Sequence, residues 1–190
     1  QSDMRDQVIR DMPGYIGFWA HFPEIWFGGL QPNTHSQPMG RTNGWGFVAG
    51  LRFELQPDEA MVVNTSVGGA RFTGFQLNDL WMIQADARRY QVSLNNSQRV
   101  LNADGTATYV ISAQDPGVAN WLDPAGVNSG FGILRWQQIP ADLKPDGLIR
   151  DLRVIKLSEV AALGLQRVTP AQRRAAIARR AWEYSGRTRA

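Results

Sequence analysis

Two short stretches of this 190-residue chain each place a pair of carboxylates around an indole: Asp79 and Asp86 flank Trp81, and Asp115 and Asp123 flank Trp121. Two carboxyl groups brought together by a fold can divide acid and base work between them, so this spacing is the first pattern to weigh. Aspartate beside proline or glycine in a loop is also the residue that closes turns, because its side chain accepts from nearby backbone N–H groups. Turn closure is the stronger reading for Asp115 and Asp123, which bracket Pro116, Gly117 and Asn120. Asp86 stands differently. Arg88, Arg89 and Tyr90 follow it at once, and charged groups close to apolar strands tend to pair when partly buried. Asp79, Asp86 and Arg88 are therefore the candidate catalytic groups, without forming a recognisable arrangement of acid, base or nucleophile.

Other chemistries fail on inventory. The imidazoles are His21 and His35, fourteen positions apart and without clustered carboxylates, so no metal is expected. There is no cysteine, which removes disulfides, thiolate ligands and a cysteine nucleophile but selects no compartment. Ser66, Ser93 and Ser112 lack the Gly-x-Ser-x-Gly setting of a hydrolase nucleophile. Gly28-Gly29 and Gly68-Gly69 complete no phosphate-cradling loop, so no nucleotide cofactor is expected. Seven tryptophans are a heavy load for this length. Large aromatics fill cores and interfaces more often than ligand sites, yet Trp81, Trp121 and Trp136, with Asn120 beside the second, are the candidate ligand-binding residues. Trp121 is favoured among them because it reads as a loop residue, held in a stiff turn by Pro116 and Gly117.

These residues have to be positioned by strands. From Gly46 the apolar period is two: Phe47, Ala49, Leu51, Phe53 and Leu55 alternate with Val48, Gly50, Arg52 and Glu54. Further strands are expected at Ala60 to Ser66, Ala70 to Leu77, Trp81 to Ala85, Gln91 to Leu94, Thr106 to Ala113, Gly130 to Trp136 and Leu148 to Leu157. Gly68-Gly69 reads as a tight hairpin turn between the first two of these, since glycine supplies the positive φ. Short strands separated by turn residues, with no helical pattern between them, predict a mainly β fold, an antiparallel β-sandwich or jelly roll rather than a parallel sheet.

Helices are expected only at the ends. Met4, Val8, Ile9 and Met12 recur at helical spacing behind a Ser2 or Asp3 cap, and Pro13-Gly14 is the expected stop. The segment Tyr15 to Phe27 is apolar all round and should be buried, either under the sheet or against another chain. A polar loop follows from Gln31 to Asn43. At the other end, Thr169 as N-cap, Pro170 at the first position and Gln172 three residues on form a capping box, with Gly186 placed to stop the helix. Arginines spread around this cylinder suggest weak packing on its own domain and a contact with a partner. The expected organisation is a helical and aromatic segment over 1–45, a β-sandwich over 46–160 and a basic helix and tail over 161–190.

The ordered set of motifs carries a resemblance. Gly74-Phe75-Gln76-Leu77-Asn78-Asp79-Leu80-Trp81, Ser93-Leu94-Asn95 with Gln98, Asn102 to Gly105, Asp115-Pro116-Gly117 with Asn120-Trp121-Leu122-Asp123, and Gly130 to Trp136 resemble the bacterial domain of unknown function 1214. Thr169-Pro170-Ala171-Gln172-Arg173 is similar to the tail that follows that domain. The resemblance implies a jelly-roll-like β-sandwich, usually the C-terminal half of a longer protein and often coupled to a second uncharacterised domain. It brings no established catalytic residues.

Charge divides the chain. The ten Lys or Arg from Arg150 onward stand against three carboxylates, +7, while the preceding residues carry −4 within a net +3. Such a basic end could meet nucleic acid or an acidic neighbour; without interleaved stacking aromatics, nucleic acid is not expected. No apolar run approaches the roughly 20 residues of a membrane span. Gln1 is followed by no basic-then-apolar leader, so any targeting segment is expected to be removed already or to lie elsewhere. Two functions follow. The first is a binding or oligomer-assembly module that meets a second copy or a companion domain through Tyr15 to Phe27 and the C-terminal helix. The alternative is an enzyme or carrier for a hydrophobic or aromatic small molecule, working without metal in a cleft lined by Trp81, Trp121 and Trp136.

Overall fold

The computed structural model describes residues 2–27, 29–40 and 45–187; Gln1, Gly28, the end of the polar loop at 41–44 and the last three residues lie outside them. The chain is mostly β, with two sheets between helices at either end. The strands are β1 (Thr34–His35), β2 (Met39–Gly40), β3 (Gly46–Glu54), β4 (Glu59–Thr65), β5 (Phe72–Asn78), β6 (Ser93–Asn95), β7 (Ala107–Ile111), β8 (Trp121–Leu122), β9 (Ser129–Gln137) and β10 (Ile149–Lys156). A 3-10 helix, Leu157–Leu163, follows β10; the α-helices are α1 (Ser2–Phe27) and α2 (Pro170–Arg187).

The first sheet has the order β1-β3-β9-β5-β6, with β2 added beside β1 on β3, and the second has the order β10-β4-β7-β8. All pairings are antiparallel except the short β7–β8 pair. The period-two pattern explains the core between the sheets. Ala49, Leu51 and Phe53 of β3, Phe75 and Leu77 of β5, and Leu134 and Trp136 of β9 face Met61 and Val63 of β4, Tyr109 and Ile111 of β7, and Leu122 in one cluster. A smaller cluster, Ala60, Val110, Val118, Trp121 and Val160, covers the other face of the second sheet beneath the 3-10 helix. That second cover is why β7 is buried along its whole length rather than at alternate residues.

Several expectations change. Gly68 and Gly69 have positive φ, 58° and 68°, but they do not close a hairpin: β4 and β5 lie in different sheets, and the glycines turn the chain across from one to the other. Trp81 to Ala85 forms no strand; it is an irregular loop in which Met82 has a φ of 62°. Residues of the expected polar loop pair with β3 as β1 and β2. Helix α2 starts at Pro170 as expected but runs on through Gly186.

The largest correction is at the N-terminus. Pro13-Gly14 does not stop the helix, and α1 is continuous over 26 residues. Rings spaced one turn apart support it beyond Pro13: Tyr15–Trp19, Phe18–Phe22 and Phe22–Trp26 have centroids 6.1, 5.8 and 5.6 Å apart. The aromatic segment is not buried under the sheet. Tyr15 is 63% and Ile25 61% exposed, and Ile16, Phe18 and Trp26 are exposed with them.

One strand glycine is fixed by packing. Gly132 sits between Leu51 and Leu77 in the register, and a Cβ there would lie 2.7 Å from the Phe75 ring and 2.8 Å from Leu51. Gly132→Ala should therefore overpack the core and lower unfolding free energy by about 1–3 kcal/mol, read as a shifted urea midpoint at unchanged slope.

Candidate functional site

The aspartates singled out by spacing are occupied by local structure. Asp79 Oδ1 accepts from the N–H groups of Trp81 and Ile83, both at 2.9 Å, which folds 79–83 into a tight loop. Asp86 receives the Arg88 guanidinium in a fork, Nε to Oδ1 and Nη2 to Oδ2 at 2.9 Å each, and the Arg88 N–H as well. The Arg88 side-chain hydrogen bonds, aided by its backbone N–H, hold the Asp86 carboxyl down at about 2. Such a group stays ionised near neutrality and is a poor proton donor or acceptor there.

The candidate ligand residues are not brought together. Trp81 projects from the 79–83 loop and is 55% exposed. Trp121 is not a loop residue but forms β8; it is buried in the outer cluster of the second sheet, and its indole N–H donates to the Ser112 carbonyl at 3.0 Å. Trp136 lies in the core between the sheets, donating to the Ser66 carbonyl at 2.8 Å. Asn120 is buried too. Its side chain accepts from Val100 N–H and donates to the Val100 and Thr108 carbonyls. These bonds stitch the 115–123 loop to β7 and the segment before it, and they leave the amide little capacity for a ligand. Among the described residues no group of three or more His, Asp or Glu is placed to hold a metal ion.

The 115–123 loop has a different role, and α2 reveals it. Arg173 is only 9% exposed. Its Nε and Nη2 reach the two oxygens of Asp115 at 2.9 and 3.3 Å, Nη2 also donates to the Val118 carbonyl, and the guanidinium lies 5.1 Å from the Trp121 ring centroid. Val118 pairs with Arg167 as an isolated bridge, and Ala119 N–H donates to the Gln166 carbonyl at 2.9 Å. One turn pair further along α2, Arg180 is 6% exposed and donates to the Ser93 carbonyl and hydroxyl on β6. The capping box forms as expected, with Thr169 N–H on Gln172 Oε1 and Gln172 N–H on Thr169 Oγ1. The helix is thus attached to its own domain by hydrogen bonds from two buried arginines, while its apolar packing stays slight. Its inner face is Arg173, Ile177, Arg180, Ala181 and Tyr184, while Trp182 points outward at 76% exposure. The signal was present as arginines seven apart in phase with Ile177 and Ala181, masked because arginine ordinarily lies outside.

The uncovered surface is α1. Its aromatic side chains meet the rest of the chain at the Trp81 loop, where Tyr15, Ile16 and Trp19 with Trp81, Met82 and Ile83 enclose an apolar notch of about 330 Å³. The Trp19 indole N–H is buried there without a hydrogen-bond partner. No described helix is long and apolar enough to cross a membrane.

The chain is similar to an uncharacterised protein of known crystal structure from Burkholderia cenocepacia: 29% identity, TM-score 0.61, 74% of this chain covered and 39% of that one. It is also similar to a protein from Vibrio parahaemolyticus at 16% identity and TM-score 0.41, over 60% of this chain and 32% of that one. The chain therefore spans about two fifths of the length of the Burkholderia protein. No protein-family model matches it, and no curated protein does.

Arg173→Met would leave Asp115 with the Gly117 N–H alone and the Val118 carbonyl without the guanidinium, and should lower unfolding free energy by about 2–4 kcal/mol in urea titrations, with Arg173→Lys recovering only part. A second expectation concerns Asp123, whose carboxyl is raised above the ordinary range by burial and by nearby Asp115. The folded chain holds that proton more tightly than the unfolded chain, so this group favours folding at low pH and loses that contribution as pH climbs through its raised value. Asp123→Asn keeps an oxygen for the Ala125 N–H and removes the charge. Its melting temperature should exceed the parent's near about pH 7, and the gap should close near about pH 3.

Proposed function

We propose that this chain is a jelly-roll-type β-sandwich module of the bacterial domain of unknown function 1214 family, and that its work is assembly. The observation that supports this reading is α1. A 26-residue helix leaves Ile16, Phe18, Ile25 and Trp26 exposed to solvent, and large apolar side chains exposed in such number mark contact surfaces. That surface is covered in the working protein by a second copy or, in a longer chain, by a companion domain; the Burkholderia protein has length to spare for one. The contact continues across the notch onto Trp81 and Ile83, which gives the exposed loop a purpose that its turn chemistry alone does not.

An enzyme or carrier working in a cleft of Trp81, Trp121 and Trp136 has less behind it, because two of those indoles are buried in separate clusters with their N–H groups satisfied.

In the isolated chain a second copy is the available partner. Light scattering at micromolar concentration should give the mass of a dimer or larger, unchanged or strengthened by salt, as expected of apolar contact. The double variant Ile16→Glu, Trp26→Glu should be monomeric with an unchanged β-sheet signal. A parent chain that is monomeric throughout, or an assembly that dissolves with salt but ignores the double variant, rules α1 out as the contact.

A further inference from the structure

Helix α2 buries two guanidiniums seven residues apart, and they are treated differently. Arg173 has the Asp115 carboxylate. Arg180, more deeply covered, donates to neutral oxygens of Ser93 among the described residues; Glu183, the nearest carboxylate along the helix, is held by Arg179 at 2.8 Å. Among the described residues no carboxylate lies within ion-pair distance of Arg180. A cation withdrawn from water is costly unless an anion accompanies it, and here burial works against the charged form more than the nearby Tyr184 and Glu183 favour it.

Arg180 is also where two cavities meet. One, of about 200 Å³, has Phe72, Gly74 and Gln76 of β5 as its floor with Arg135, Ser93 and Tyr184 around it. The other, of about 280 Å³, lies on the far side among Gln91, Ser97, Gln98, Ala176 and Arg179. Leu94, Gln98, Arg180 and Glu183 border both, so they form one groove between α2 and the β6 edge. Gly74 has no side chain to fill the first lobe, and the Phe72 ring leans over it: a Cβ at Gly74 would lie 3.1 Å from the ring. The lobe therefore joins a planar, fork-shaped donor to an aromatic wall. It is smaller than the roughly 300–1,000 Å³ of sites for drug-sized ligands.

We propose that this groove binds a small organic carboxylate, its anionic head on Arg180 and its apolar body against the free face of the Phe72 ring, whose edge covers the bare backbone of Gly74. A guanidinium matches a carboxylate in two parallel hydrogen bonds, and the Gln76 and Gln98 side-chain amides line the same cavity. Glu183 at the rim opposes the same anion and sets an upper limit on affinity. The site is independent of α1 and of any assembly through it.

Benzoate is the probe, with benzamide as its uncharged counterpart and inorganic phosphate as an anion without an apolar body, each titrated by calorimetry into the full chain. Benzoate should bind at least about tenfold more tightly than either. Arg180→Met should abolish the difference between benzoate and benzamide. Because Arg180 also anchors α2, two milder variants accompany it. Glu183→Gln should tighten benzoate by about two- to fivefold by removing a like charge near the head group, and Gly74→Leu should block benzoate while α2 stays in place. Benzamide binding as tightly as benzoate, phosphate matching benzoate, or a Glu183→Gln variant with unchanged benzoate affinity would each overturn the proposal.

Discussion

The fork of Arg173 on Asp115 is the contact through which the two sheets acquire a common wall. Each sheet ends in a very short strand, β6 in one and β8 in the other, and unpaired strand edges are a standing invitation to wrong partners. The 91–95 and 115–123 segments already touch: the Gln91 side-chain amide donates to the Trp121 carbonyl, and Asp123 N–H donates to the Gln91 carbonyl at 3.0 Å. Helix α2 is laid along that seam, held by Arg173 to the β8 side and by Arg180 to β6. Hydrophobic area contributes little to this attachment, since Ile177 and Ala181 are only partly buried. It rests on directed, charge-assisted hydrogen bonds, so it tolerates few substitutions for arginine.

This placement changes what the basic end of the chain means. A charge of +7 from Arg150 onward reads on paper as a solvated patch awaiting an acidic partner. Two of those cations are turned inward and spent on the domain itself, while Lys156 is engaged by Asp58 and Arg179 by Glu183. The greatest concentration of exposed apolar side chains is at the other end, where the sequence is rich in rings and nearly free of cations.

Much of the frame was legible in the residues. The alternation through Phe47 to Leu55 and the run Gly130 to Trp136 became β3 and β9, the central pair of the first sheet, because a strand buried on one face leaves that signature. The start of α2 could be read to the residue from Thr169, Pro170 and Gln172, since a capping box is a local arrangement. What escaped was decided at long range. The glycines at 68 and 69 supply the same backbone freedom whether the chain doubles back or crosses to another sheet. Pro13 and Gly14 oppose helix locally, and the ring contacts that outweigh them are seen only once the helix exists. Trp121 looked like a displayed side chain because its neighbours are turn residues; the 3-10 helix that covers it lies some forty positions away in sequence. The inward arginines of α2 are recognisable only once Asp115 and Ser93 are known to sit opposite them.

The order of strands in the first sheet also bears on how the chain comes into being. Strand β9 sits between β3 and β5, so each of those long apolar strands takes its central partner from residues 129–137. During synthesis on the ribosome, β3 and β5 emerge well before that partner, with their core faces exposed and an open slot between them. A nascent chain in this state offers two strand edges to any passing β-segment. The first sheet therefore cannot be completed until residues 129–137 are available to pair with both β3 and β5.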